Sequence, residues 1–202
     1  MWAWLYPPAC ALCGRLGPPA ICPTCEETFR AAGPWVILPE DPMSVDACFL
    51  YDGRAAQAVK RLKYERASPL RDPMAQLMAA RHFITDDEMV VPVPIHWTRR
   101  FERGFNQSEW LASQMPQAAR ALRRIRATRP QVGLNRAARQ RNIVGAFAAS
   151  PLVKGRRVVL VDDVITSGST VLACREALRQ AGAAEVRAIA FCSDQLAGKS
   201  NA

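Results

Sequence analysis

V-V-L-V-D-D-V-I-T-S-G-S-T, residues 158–170, reads as a strand, a loop and the start of a helix. Four apolar residues, three of them valine, make the short continuous run expected of a strand buried on both faces of a parallel sheet. The carboxylates Asp162 and Asp163 are expected to end it. Thr166, Ser167, Gly168, Ser169 and Thr170 are small or hydroxylic, and the apolar period of Val171, Cys174, Leu178 and Ala181 then predicts a helix stopped by Gly182. A loop of small residues lets successive backbone N–H groups turn inward, while the helix behind it and the hydroxyls add positive potential and donors, so the loop suits a phosphate dianion. Asp162 and Asp163 would repel that phosphate. They are therefore expected to face hydroxyls of the same ligand, or a divalent cation bridging to it. A sugar phosphate meets both requirements.

On these residues the stretch resembles the 5-phosphoribosyl-1-pyrophosphate (PRPP) motif of type I phosphoribosyltransferases: four apolar residues, an acidic pair, then T-S-G-x-T. The 202 residues around it suffice for one α/β domain of ordinary size and a small appendage. No run approaches the length of a membrane span. The start, M-W-A-W-L-Y-P-P, lacks a basic region and meets two prolines early, so a cytoplasmic protein without membrane insertion is expected.

Lysine and arginine number 27 against 18 acids, a net charge of +9. The excess is local: residues 99–141 hold eleven arginines and only two acids, Glu102 and Glu109. Such a block implies an anionic ligand, polyphosphate or nucleic acid, and arginine in place of lysine favours bidentate phosphate contacts. A solvated basic face is the competing reading.

Cys10, Cys13, Cys22 and Cys25 spell C-A-L-C, eight residues, C-P-T-C. Two such knuckles predict a four-thiolate zinc site that holds the N-terminal residues folded, structural because no ligand position is left open for water. Disulfides compete, but a reducing compartment disfavours them. The organisation expected is a zinc-binding module over 1–32, a Pro-rich linker with a short strand in it over 33–46, and one domain over 47–202. Residues 47–51 read as a strand, 55–62 and 74–83 as helices, and the basic residues of the first helix as its solvated face. Cys48, Cys174 and Cys192 read as core residues.

Residues 89–95 predict a second buried strand, with Pro92 and Pro94 marking its C-terminal end. Residues 96–105 are expected to be a cationic loop leading to a helix with Asn106 as N-cap and Glu109 completing a capping box. His96 is open between a turn residue and a base. Ligands of open parallel sheets sit at the C-terminal strand ends. A ligand with phosphate at one end and pyrophosphate at the other would bridge the loop after residue 165 and the arginines after residue 98. Residues 121–127 read as a further strand, and 128–147 as a lid whose Arg136, Arg139 and Arg141 close over polyphosphate. Residues 185–192 are the last strand, before a polar tail.

Taken together, the double C-x-x-C, Y-D-G at 51–53, L-K-Y at 62–64, V-P-V-P at 91–94, R-G-F-N-Q at 103–107 and the set Gln131, Leu134, Arg139 and Asn142 resemble the ComF family of competence protein F and GntX-like proteins. The resemblance implies a zinc-ribbon-like module on a type I phosphoribosyltransferase fold, an open parallel sheet with helices on both faces. It also implies a link to DNA uptake. By the same resemblance, Asp162 and Asp163 contact the ribose hydroxyls, residues 166–170 the 5′-phosphate, and a loop with Arg99, Arg100, Arg103 and Gly104 the pyrophosphate, with Mg²⁺ on the ligand oxygens. Catalysis would be displacement of pyrophosphate by the nitrogen of an unidentified base, and no catalytic residue is assigned. The alternative is a PRPP-sensing or single-stranded-DNA-associated accessory protein, with Trp97, Phe101 and Phe105 as stacking surfaces and competence proteins as partners. The polar tail is too short to supply a hood over the base, so the cysteine module or residues 47–85 would have to serve.

Overall fold

The structure is a computed structural model that describes residues 7–17, 19–37, 40–65, 68–126 and 143–195. Arg136, Arg139 and Arg141, expected in a lid, lie outside the described residues. A five-stranded sheet has the order β1-β2-β7-β6-β3, formed by β1 (Ala31–Ile37), β2 (Met43–Leu50), β3 (Glu88–Pro92), β6 (Arg157–Ile165) and β7 (Glu185–Ser193). Only β1, at the edge, runs antiparallel to its neighbour; the other three pairings are parallel. β4 (Leu122–Arg124) and β5 (Phe147–Ala149) form a separate antiparallel pair. The strand expected over 121–127 is therefore three residues long and outside the main sheet, because L-R-R cannot be buried on both faces.

Helices cover both faces of the sheet, as expected. On one face α2 (Gly53–Tyr64), α3 (Arg71–Arg81) and α5 (Gln107–Leu111) bury Val59, Leu62, Met74, Met78 and Leu111 against Phe49, Val159, Val161 and Phe191. On the other, α6 (Ser169–Gln180) buries Val171, Cys174 and Leu178 against Val158, Leu160, Ala188 and Ala190, together with the β4–β5 pair. β6 is thus apolar on both sides, which is why its sequence is a continuous run rather than an alternating one.

Residues 33–46, expected as a linker with a short strand, contain most of β1 and the start of β2. Trp35 and Ile37 are buried with exposed Val36 between them, an alternation that suits β1 to the edge despite Pro34, a residue that edge strands tolerate. Asp41 in the turn between them accepts from the guanidinium groups of Arg175 and Arg179, each at 2.7 Å, and so ties the hairpin to α6. The cysteine segment includes a short helix, α1 (Pro23–Glu26), and Phe29 behind it packs edge-on against Phe49 at 4.9 Å and Phe191 at 6.3 Å.

Candidate functional site

β6 does not stop at the acidic pair. It runs on through Asp162 and Asp163 to Ile165, because β7 still offers Ala190, Cys192 and Ser193 as partners. On its other side β3 ends at Pro92, opposite Val161. The pair therefore stands one step beyond the end of a neighbouring strand, where an open parallel sheet leaves a crevice. Both carboxylates reach helices of one side of the sheet at this strand end. Asp163 meets Lys63 of α2 at 3.1 Å, and Asp162 accepts from the Ser108 hydroxyl of α5 at 3.1 Å and from the Asp163 N–H at 2.9 Å.

The expected loop at 96–105 is a helix, α4 (Trp97–Arg103). His96 caps it by accepting from the Thr98 N–H, and Gly104 ends it in the left-handed conformation at φ +82. A capping ring nitrogen and a glycine two turns later are enough to fix a short helix, and His96 is held as a turn residue. Arg99 and Arg103, four residues apart, share the face of α4 that looks into the crevice. Arg100 turns away to Glu109 at 2.7 Å, and Gly104 serves as the helix stop. Asn106 is the N-cap of α5 as expected, accepting from the Ser108 N–H at 3.1 Å. Glu109 binds Arg100 and Arg120 instead of closing a capping box.

A cavity of about 210 Å³ results, with Lys63, Arg99, Arg103 and Arg124 around Asp162 and Asp163. A smaller hollow of about 50 Å³ adjoins it, bounded by residues 166–170 and sharing Asp162, Val164 and Thr170 with the first. Gly168 takes φ +74 at the head of α6, and an added Cβ would collide with the Ile37 side chain. The Ser167 and Ser169 hydroxyls, both in its lining, hydrogen-bond to each other at 3.0 Å. The structure thus brings Asp162, Asp163, Thr170, Arg99 and Arg103 to one opening.

Burial, and then the neighbouring Asp163 charge, pushes the Asp162 carboxyl up to about 7, against the opposing pull of the Asp163 N–H, Lys63 and Ser108. Lys63 shows the reverse: burial opposes its charge, but Asp163 and Asp162 more than offset that and raise it above the ordinary lysine value.

Lys63, expected on the solvated face of its helix, is instead turned into the crevice and paired with Asp163, and no site role was expected of Gln107, Ser108 or Arg124. Lys63 was legible. It stands four residues after buried Val59, on the apolar stripe of α2, where a charge has no reason to be unless it has a partner. Gln107 is 1% exposed and lines the cavity, and its Nε2 is without a hydrogen-bond partner among the described residues. A buried orphan donor aimed into a crevice calls for an acceptor on a ligand.

The four N-terminal cysteines form a second centre. Their sulfurs all lie within 4.8 Å of one another, with Cys10–Cys25 and Cys13–Cys22 both at 3.8 Å. Tetrahedral bonds of about 2.3 Å place sulfurs about 3.8 Å apart, so the four thiols fit a metal ion, while a disulfide needs about 2.05 Å. The Cys22 N–H adds a donor to Cys10 Sγ at 3.4 Å.

Residues 73–201 match the phosphoribosyl transferase domain family. The DNA utilization protein YhgH of Salmonella typhimurium is 30% identical over 197 residues, spanning 90% of this chain and 84% of that protein. Competence protein F of Haemophilus influenzae is 31% identical over 145 residues, 64% of this chain and 63% of that one. The chain belongs to the ComF family. Within it, the phosphoribosyl transferase match takes in β3, β6, α6 and β7 and therefore the whole acidic-pair crevice except Lys63. A solved structure titled as the allosteric regulatory enzyme of purine biosynthesis aligns with a TM-score of 0.44 and 22% identity, over 65% of this ComF chain and 30% of that one. Among the described residues of this ComF protein, no helix is long and apolar enough to cross a membrane.

Proposed function

We propose that the protein binds PRPP with Mg²⁺ in the joined cavities and transfers its phosphoribosyl group to an unidentified nitrogenous base. The single observation that carries this reading is the acidic pair at the strand end, set between a hollow of backbone donors and hydroxyls on one side and Arg99 and Arg103 on the other. Residues 166–170 hold the 5′-phosphate, Asp162 and Asp163 accept from the ribose hydroxyls, and Arg99 and Arg103 take the pyrophosphate. Mg²⁺, when bound with the ligand, shields the charge that develops on departing pyrophosphate. The protein's own contribution is orientation of the C1 centre and preorganised positive charge around the leaving group, with no covalent intermediate on the chain. The lid role of Arg136, Arg139 and Arg141 belongs to the same proposal, as do Arg100 and Gly104 as parts of α4 that set its register.

The cysteine centre is proposed to hold zinc, since four thiolates at tetrahedral spacing suit a closed structural site. Residues 1–32 are its module and 47–202 the phosphoribosyl unit, with 33–46 joining the two while adding most of β1 and the start of β2 to the sheet of that unit. Reduced cysteines at metal distance fit a cytoplasmic setting. The names of the relatives point to competence and DNA utilization as the process served.

Release of pyrophosphate from PRPP across a panel of purines, pyrimidines and simple amines tests catalysis. Release with one base, lost in Asp162→Asn/Asp163→Asn, is expected. A second reading, an accessory protein on single-stranded DNA that senses PRPP without turnover, is favoured by one feature. Trp97 and Phe101 lie 70% and 86% exposed on the face of α4 opposite Arg99 and Arg103. Phe105 does not join them; it is buried and stacks on Trp110 at 3.8 Å. Binding of single-stranded DNA that weakens steeply with salt and drops in Trp97→Ala/Phe101→Ala, with no base supporting pyrophosphate release, would favour this second reading.

A further inference from the structure

α2 has two working faces. Arg54 and Arg61, seven residues apart and so on one stripe, donate to the backbone carbonyls of Leu12 and Ala11, the two residues between Cys10 and Cys13. Lys63 is two residues beyond Arg61, more than half a turn round the helix, and looks the other way. Its Nζ sits 3.1 Å from Asp163 Oδ1 at the wall of the larger cavity, with only 24% of the side chain exposed. The phosphoribosyl transferase match begins at residue 73, so this lysine lies outside the matched segment.

Resting on the PRPP reading above, we propose that Lys63 is a ligand-binding residue of the phosphoribosyl pocket, delivered to it by a helix anchored on the cysteine centre. Two carboxylates that accept from ribose hydroxyls also repel the phosphates a few ångströms away. The Lys63 ammonium cancels one of those charges from inside the protein and lowers the cost of bringing a polyanion to the acidic pair. Desolvation by the ligand strengthens the ion pair further, so the contribution grows on binding. The cysteine centre thereby becomes part of the pocket's architecture. Its first knuckle fixes Arg54 and Arg61, these fix the rotation of α2, and the rotation of α2 sets where the ammonium stands.

The test is calorimetry on the metal-loaded full-length protein, with Mg²⁺-PRPP and, separately, Mg²⁺ with inorganic pyrophosphate. Wild type is compared with Lys63→Gln, Lys63→Arg and Arg54→Ala/Arg61→Ala, and thermal melts and metal content are recorded alongside. Lys63→Gln keeps a donor to Asp163 but not the charge. It is expected to melt near the wild type and to bind PRPP roughly tenfold more weakly, the scale of one charge-assisted contact. Lys63→Arg restores most of the affinity, which a purely structural role would not require. Arg54→Ala/Arg61→Ala weakens PRPP several-fold with its metal retained. Wild-type affinity in Lys63→Gln overturns the proposal, and unchanged affinity in the double arginine variant overturns delivery by the anchored helix. A wild type that takes pyrophosphate but not PRPP refutes the phosphoribosyl reading alone, and the pyrophosphate affinity of Lys63→Gln then decides the role of Lys63. A wild type that binds neither overturns both.

Discussion

At the scale of single residues, Asp162 is where charge and function meet. Its carboxyl is raised to about 7 from an ordinary 3.8, so the folded protein holds that proton more tightly than the unfolded chain. The group's contribution to stability is therefore fully present below the ordinary carboxyl value and is lost as pH rises through 7. Asp162→Asn is accordingly expected to stabilise the empty protein at pH 8, by about 1–2 kcal/mol once the weakened Ser108 contact is allowed for, while impairing ligand binding. Thermal melts at pH 5 and pH 8 check this; a variant less stable than wild type at pH 8 would contradict it. Glu88 runs the other way. Arg187 donates to it twice, at 2.6 and 2.9 Å, and against the cost of burial this pair and the Thr85 N–H hold its carboxyl down at about 2. Its contribution is present above the ordinary value of 4.5 and lost as pH falls through 2. Glu88→Gln should cost about 3 kcal/mol at pH 7, since it leaves Arg187 partly buried without its counter-charge, and the deficit should shrink in acid. Denaturant unfolding at pH 7 and pH 3 reads both. The acidic pair was legible in the sequence because carboxylates directly after an apolar run have no structural reason to be there. Gln107 was not read, because an amide at a helix start has an ordinary explanation until a cavity is seen beside it; Lys63 was read as solvated although its place one turn after buried Val59 sets it beside the apolar stripe.

At the scale of elements, the decisive unit is β6, its three-residue turn and α6. The strand, turn and helix were legible because each has a local cause: branched apolar residues, a glycine, and a 3.6-residue period. The point where the strand ends was not, because pairing with β7 rather than side-chain polarity carries β6 through the acidic pair. The same limit applies to residues 96–105, whose clustered arginines suggested a loop although the His96 cap and Gly104 stop make a helix. Gly168→Ala combines left-handed strain with a collision against Ile37 and is expected to cost about 2 kcal/mol in stability. It should also lower PRPP affinity further than the stability loss alone explains, because the turn forms the hollow proposed to take the phosphate. Unchanged affinity in a folded Gly168→Ala protein would count against that assignment.

At the scale of the whole molecule, the cysteine centre and the sheet share one core. Cys10, Cys22, Cys25 and Phe29 are buried in the same cluster as Val59, Phe49 and Phe191. Removing the metal proposed for the four thiols is therefore expected to lower the melting transition of the entire protein rather than to release an independent N-terminal unit. Calorimetric scans before and after chelation, with metal analysis, check this; an unchanged melt after full metal loss would contradict it. A buried parallel strand was legible in the apolar run at 158–161, and the helices on both faces followed from the family resemblance of the motifs around it. The antiparallel edge strand was not, because Pro34 and its neighbours resemble a linker until β2 is there to pair with them. The central claim is that the crevice at the end of β6 is a PRPP site. Titration of Mg²⁺-PRPP into the metal-loaded protein by calorimetry, wild type against Asp162→Asn/Asp163→Asn, tests it most directly. Saturable one-to-one binding in wild type, weakened by about a hundredfold in the double variant through loss of two charged acceptors, is the expected result. Absence of binding in wild type, or equal affinity in the two proteins, would contradict it.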